Sequence, residues 1–474
     1  MSLTFKYRDL WFVIVYVVML AALAALPSSP GDGLDLIKCP IYLAIAVSAV
    51  TVHLTGQRSN NWLRPDILFL VGFFVVHYQW LTMALVSGLF PENTNFLFPM
   101  EAHATYGAWL STIALISWLS GYAVANPDSH IRIERIANNQ MILNIAIVVL
   151  VAFAVTVGPS YFTAELYRTV QMNFFQTVSG VAAYLLTITE IFTLILVSLF
   201  FYPRIINRLN IVQNDASLAL VRSFEGISKQ MLMFYFGAYI LVFLLAAERG
   251  QVIQILSAIG VVYAMNFRSV RLIELVMLIG LAALVFTGIG IARSIEEELT
   301  LALIFNDAGY WSLTRNMANS SITLYQGIDL VHSGKGFFYG QLWLSQILGL
   351  VPFLQSTFLA FTSLKLEDIN SATQITAYIL GSNPHTGFGT SFVIDIYLNF
   401  GVPGILFFSF LYGYICKVVL TWVTGTSGFV RFFVAIAFVS LLFYVSRSSL
   451  FIQLRTVVWG VVIIMLFVSI RRQR

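Results

Sequence analysis

FFYGQLWLSQILGLVPFLQSTFLAF, residues 337–361, is apolar enough to pass for a membrane-crossing helix, and whether it crosses decides the fold. Gln341, Gln346, Pro352 and Gln355 interrupt it, and a proline inside a helix removes a backbone donor and clashes with the preceding turn. The flanking charges give a second argument. Were this run to cross, the terminal RRQR and the loop between Lys417 and Arg431 would sit outside the membrane, against the preference of Lys and Arg for the inner face. The run is therefore expected to form one or two helices lying at the outer interface, or re-entrant and packed on protein.

Around it lies the one long polar-containing interval of the chain, residues 293–391, with Glu296–Glu298, the tract NDAGYWSLTRNMANSS, His332, and SNPHTGFGTS around His385. The rest is dominated by apolar spans. Of 474 residues 59% are hydrophobic and 10% charged, and mean hydropathy is +0.85. Soluble domains carry roughly 25% charged residues, so this composition belongs to an integral membrane protein. Runs of about 20 apolar residues suit helices crossing a core of roughly 30 Å, and no period-two pattern of a barrel is present.

Twelve spans are expected: about 10–26, 39–56, 67–90, 104–124, 140–160, 178–201, 230–247, 252–267, 272–292, 392–414, 431–446 and 456–470. With the N-terminus inside, inner segments hold 17 Lys and Arg and outer segments 9. The fold class is then all-α and polytopic, N-in/C-in, in a single integral membrane domain. Residues 1–292 carry spans 1–9, residues 293–391 a large outer loop with amphipathic helices, and residues 392–474 spans 10–12. The apolar N-terminus reads as a retained first helix. Cys39 and Cys416 fall at opposite faces and imply no disulfide. The net charge of +4 says nothing about nucleic acid, since the basic residues sit at span ends, and no nucleic-acid partner is expected.

Candidate chemistry gathers on the outer side. Arg249, in the tight connection AAERGQ, with Arg293, Arg315, Arg447 and Arg455, faces outward against the charge rule. Each alone reads as a helix cap, an ion pair or a headgroup contact. Together they suit a diphosphate whose lipid tail stays in the bilayer, because guanidinium binds phosphate oxygens bidentately. His385 is either a turn histidine bonded to backbone or a general base, and the intramembrane Asp395 could orient it. His332 and His103 are also outward, Glu190 is intramembrane, and His77 reads as a buried contact between helices. Loop aromatics, among them Trp311, Tyr325, Tyr339 and Trp343, serve an interfacial belt or stack on sugars. Asp32 and Asp35 share a turn and are weak metal candidates. No zinc-like spacing and no phosphate-binding loop is present.

The succession GKGFFYGQLWLSQILGLVPFL, Lys365, HTGFGTSFVIDIYLNFGVPGILFFSFLYGYI and YVSRSSLFIQLRTVVWG resembles the bacterial oligosaccharide repeat-unit polymerases, the Wzy-type O-antigen polymerases. The carrying residues are Asn399, Phe400, Gly401 and Gly404, the Arg447–Arg455 segment, and the Arg249-Gly250 turn. The chain departs where Pro352-Phe353-Leu354 stands in place of a basic residue and a Trp. The resemblance implies a GT-C-type glycosyltransferase of the bacterial inner membrane, with its active site facing the periplasm and no cofactor or metal. It would polymerise undecaprenyl-diphosphate-linked repeat units, with Arg249, Arg315, Arg447 and Arg455 on the diphosphate. His385 and Asp395 would be catalytic, and Trp311, Tyr325, Tyr339 and His332 would contact substrate. Membrane lipid, a chain-length regulator and a flippase are the implied partners. An O-antigen ligase and, from another class, a lipid-glycan flippase or transporter are the alternatives.

Overall fold

The computed structural model describes residues 7–57, 59–87, 100–127, 134–137, 139–162, 180–208, 229–246, 248–281, 314, 317–381, 387–425, 428–467 and 469–472. Their regular structure is helical apart from one antiparallel pair of four-residue strands, β1 (Glu134–Ala137) and β2 (Ser469–Arg472). The first nine helices are α1 (Tyr7–Ala25), α2 (Lys38–Gln57), α3 (Pro65–Ser87), α4 (Ala104–Val124), α5 (Asn139–Val157), α6 (Val181–Arg208), α7 (Lys229–Leu245), α8 (Arg249–Asn266) and α9 (Leu272–Leu281). They are followed by α10 (Ser321–Leu330), α11 (Leu354–Phe361), α12 (Ser371–Leu380), α13 (Phe392–Trp422), α14 (Phe429–Ser440) and α15 (Ile452–Phe467).

Among the described residues, α2 to α6 and α13 are long and apolar enough to cross a membrane. Helices α1, α7, α8, α9, α14 and α15 carry shorter apolar stretches, of 10–17 residues. These twelve fall in order on the segments expected from the sequence. The 337–361 run is broken, with helical turns at Gln341–Trp343 and Leu344–Leu348, a left-handed Phe353 (φ 64°), then α11 of eight residues. None of these pieces approaches the roughly 20 residues that a crossing helix needs.

The axis of the bundle is the α4–α13 pair. Helix α4 is almost wholly buried. Two glycines bring the backbones together: a Cβ on Gly121 would collide with the carbonyl of Phe410, and one on Gly413 with that of Trp118. Small residues at a crossing replace hydrophobic drive with close van der Waals contact, the usual basis of helix association in lipid.

Cross-links sort the connections into two ends. At one, Gly33 N donates to Ala102 O and Thr105 N to Gly33 O, tying the α1–α2 link to the start of α4. At the opposite end Trp62 N reaches Val270 O, and Asn266 Nδ2 reaches Val423 O at 3.0 Å. There, too, Asp66 is buried and held by Arg64 through two bonds of 3.0 and 2.8 Å and by His53 Nε2 at 2.9 Å. Breaking such a buried network leaves an uncompensated charge, typically costing about 3–5 kcal/mol. Cys39, early in α2, and Cys416, late in α13, are buried free thiols at opposite ends. The interhelical polar contact expected of His77 is not made: its ring packs on Phe73 at 4.4 Å, with neither nitrogen hydrogen-bonded among the described residues.

Helix α13 positions the first end. Gly401 (φ 62°, ψ −155°) breaks it, and Pro403 has no N–H to return to the Asn399 carbonyl. The carbonyls of Leu398 and Asn399 accept instead from Phe338 N and Tyr339 N, both at 2.9 Å. The Asn399 side chain adds to this, accepting from Gly340 N at 3.0 Å and Leu342 N at 3.3 Å. A Cβ on Gly404 would strike that of Phe400, so the glycine of the Asn-Phe-Gly-x-x-Gly pattern is a packing requirement.

Gly121→Ala and Gly413→Ala are each expected to lower the thermal midpoint of the detergent-solubilised protein, by about 1–3 kcal/mol or more of overpacking. Gly237→Ala, which meets open space in α7, is expected to leave it unchanged. Equal midpoints for all three would contradict the α4–α13 contact.

Candidate functional site

Helix α10 lies across the loop end of the axis. Tyr325 packs on Gly107 of α4, and Gly327 is so close to Ile394 of α13 that a Cβ would collide with it. Tyr325 is 2% exposed, so its position serves packing, not stacking on a sugar. Beyond Leu330 the chain widens into a π turn, Val331–Lys335, and reverses through Gly334 (φ 107°) and Gly336 (φ 71°). Asp329 and His332, three residues apart, share the resulting edge.

Two hydrogen-bonded chains meet there. In the first, Asp329 Oδ2 accepts from the Tyr378 hydroxyl of α12 at 2.6 Å, and Oδ1 faces His103 Nε2 at 3.3 Å. His103 Nδ1 accepts from Gly31 N at 3.2 Å, which leaves its proton on Nε2, toward the carboxylate. In the second, His332 Nε2 bonds the Tyr397 hydroxyl of α13 at 3.0 Å, and Tyr397 bonds Tyr106 of α4 at 3.1 Å. The Tyr106 ring is edge-on to His332 at 6.2 Å. Burial, with the nearby His103, holds the His332 pKa below its ordinary value, and Asp329 opposes them.

Asp395 is fully buried one turn into α13, and both its oxygens are taken. Oδ1 accepts from Ser371 Oγ at 2.5 Å; Oδ2 accepts from Trp343 Nε1 and Leu450 N, each at 2.9 Å. One carboxylate thus fixes the start of α12, the 337–361 tract, and the link from α14 to α15. That link carries Arg447, half-buried, with Nη1 against Met317 Sδ at 3.5 Å. No carboxylate among the described residues pairs with Arg447, and burial lowers its pKa.

Arg455, exposed on the first turn of α15, acts electrostatically on Glu190 of α6, beside Gln251 and Glu248 at the start of α8. Arg447 and Arg455 therefore have different surroundings, and the structure does not bring them onto shared neighbours. Arg249 opens α8 by its backbone. Its side chain, with His385, Arg315 and Trp311, lies outside the described residues. Phe388 N, bonded to Thr376 Oγ1 at 3.1 Å, ties the chain after His385 to α12. Tyr339 is 78% exposed at φ 49°. Asp32 and Asp35 are turn residues: backbone N–H groups of Ser29, and of Ile37 and Lys38, bind them and hold both carboxyls below their ordinary pKa. Among the described residues no three His, Cys, Asp or Glu side chains form a group that could hold a metal.

Sequence reading missed Asp329, Tyr378, Tyr397 and Tyr106. The signal it could have used is the Asp329–His332 spacing, which places both on one helical face.

A helical membrane protein with a cluster of ionisable groups at the loop end of an apolar bundle is the class these features define. The model of the O-antigen polysaccharide polymerase Wzy family matches residues 10–473, and the chain belongs to that family. It is a membrane polysaccharide polymerase, of a family acting on lipid-linked oligosaccharide repeat units. No curated protein and no solved structure shows a match to the chain.

His332 is expected to titrate below the ordinary histidine range when followed by NMR. Its pKa should fall further in Asp329→Asn, which removes the carboxylate favouring the imidazolium, and rise in His103→Ala. Opposite shifts, or none, would refute this electrostatic arrangement.

Proposed function

We propose that the chain is a GT-C-type glycosyltransferase with twelve membrane crossings, N-in/C-in, its loop end facing the periplasm across the bacterial inner membrane. The loop of residues 293–391 then stands between spans 1–9 and spans 10–12. Undecaprenyl-diphosphate-linked glycan is the donor and a hydroxyl of another lipid-linked repeat unit the acceptor. The observation that carries this reading is Arg447: a half-buried guanidinium beside a methionine sulfur, with no carboxylate partner among the described residues. A cation in that setting costs free energy unless an anion joins it, and the leaving diphosphate is such an anion.

In the reaction the acceptor oxygen attacks the anomeric carbon as its proton passes to a base, the role proposed for His385. The bond from that carbon to the diphosphate oxygen breaks, and the diphosphate leaves with the electron pair. Arg447 stabilises the developing charge, with Arg249 and Arg315 assigned to the same diphosphate; Arg455, set against Glu190 of α6, is not. Asp395 acts as a positioning residue, since its bonds to Trp343, Ser371 and Leu450 hold together three segments around this end. Trp311, Tyr339 and His332 are assigned to the sugar. Chain-length regulators and flippases are the partners that such an activity calls for.

Membranes holding Arg249→Ala, His385→Ala or Arg447→Ala at wild-type protein level should make no long-chain glycan from lipid-linked repeats, a loss of about 10²-fold or more per variant. Full-length polymer from all three would remove the proposal. Transfer of glycan only onto a lipid A core acceptor would identify a ligase instead.

A further inference from the structure

The two bonded chains at the α10 edge have no part in the diphosphate chemistry, and their composition is wrong for it. Asp329 is a carboxylate whose side chain is 48% exposed, so it repels a phosphate. Only two of its roughly four acceptor positions are taken, by Tyr378 and His103. His332 is exposed, its Nε2 side bonded to the hydroxyl of buried Tyr397, and its Nδ1 has no protein partner among the described residues. Beside these, Phe337 stands edge-on to Tyr397 at 5.6 Å and is 37% exposed, and Tyr339 projects outward from its left-handed backbone.

The supports of this edge are buried. Tyr397 and Tyr106 lie on α13 and α4, whose backbones close on each other further along at Gly121 and Gly413. His103 is locked by Gly31. Half-satisfied acceptors on these supports, bordered by aromatic faces, suit a neutral ligand that brings many hydroxyl donors and an apolar C–H face. A sugar ring has both.

We infer that Asp329 with Tyr378, and His332 with Tyr397, form a subsite for the hydroxyl-rich terminal sugar of the acceptor glycan, the Asp329 carboxylate accepting from neighbouring hydroxyls and Phe337 and Tyr339 bordering the ring. This inference rests on the polymerase reading for the word acceptor. The binding itself is measurable without turnover.

The probe is the repeat-unit oligosaccharide freed of its lipid by mild acid, tested on the full-length protein. Saturation-transfer NMR should show contact to sugar protons in the wild type, and the oligosaccharide should inhibit polymer synthesis saturably. Asp329→Asn and His332→Gln should each raise its inhibition constant about tenfold or more, the scale of a lost charge-assisted or buried hydrogen bond, while inhibition by undecaprenyl diphosphate is unaltered. Lys335→Ala, on the same turn but outside both bonded chains, should leave both constants as they are. Retained inhibition by undecaprenyl diphosphate certifies that a variant is folded. Should Asp329→Asn lose both ligands, His332→Gln and the wild-type NMR contact decide. An unaltered oligosaccharide constant in folded variants, or no saturation transfer in the wild type, overturns the subsite. A wild type that binds the oligosaccharide yet makes no polymer from lipid-linked repeats overturns the polymerase reading instead.

Discussion

A backbone carbonyl inside a membrane protein must find a donor, because hydrocarbon offers none. The break in α13 leaves two such carbonyls, those of Leu398 and Asn399, and the loop end is arranged around how they are answered. The N–H groups of Phe338 and Tyr339 answer them, the Asn399 amide grips the next turn, and Asp395 reaches Trp343 four residues further on. The amphipathic tract is thereby seated on a spanning helix at one fixed register. Pro403 and Gly401 are the cause. A continuous helix would have satisfied its own carbonyls and given the tract no edge to join.

The same helix joins this local event to the whole bundle. Its first turns carry Asp395, Tyr397 and Asn399, which hold the loop segments; its second half carries Gly413, pressed on α4. Helix α4 in turn supplies Tyr106 at the loop end and Trp118 and Tyr122 toward the other, where the His53–Asp66–Arg64 network closes the structure. Side chains from sequence positions 103, 329, 332, 378 and 397 meet because α10 and α12 are laid across this one pair of helices.

Much of the fold was legible because its causes are local. Apolar length places the helices, and Pro352 and the glutamines of 337–361 announce that this run does not cross as one helix. The Asn-Phe-Gly-x-x-Gly pattern marked the decisive place in α13, though its physical meaning, a break that accepts another segment, needed coordinates. The site was less legible. Asp395 stood out as a charge in a span, yet the groups that occupy it, Ser371, Trp343 and the Leu450 amide, lie 24 to 55 residues away. Tyr397 and Tyr106 look like ordinary span aromatics until their hydroxyls meet across two helices. Tyr325 sits in the polar interval and reads as accessible, but Gly107 leaves room for its ring in the core. Arg447 and Arg455 lie close in sequence, while the turn between them sets one against Met317 and the other near Glu190 of α6.

The amphipathic tract is fastened unequally. Its root, residues 338–343, is held by two main-chain bonds to α13, by the Asn399 amide and by Asp395. Toward its tip, Trp459 Nε1 grips Leu350 O at 2.8 Å and the Tyr184 hydroxyl accepts from Phe353 N at 3.0 Å. Past these clasps Phe361 is 87% exposed. Local opening begins where contacts are fewest, so opening of the tract is expected to start around Phe361 and to spare its root. On the proposed lipid-linked substrate, a long hydrocarbon tail arriving sideways from the bilayer would first meet that sparsely held margin, and only afterwards the seam where α13 is broken.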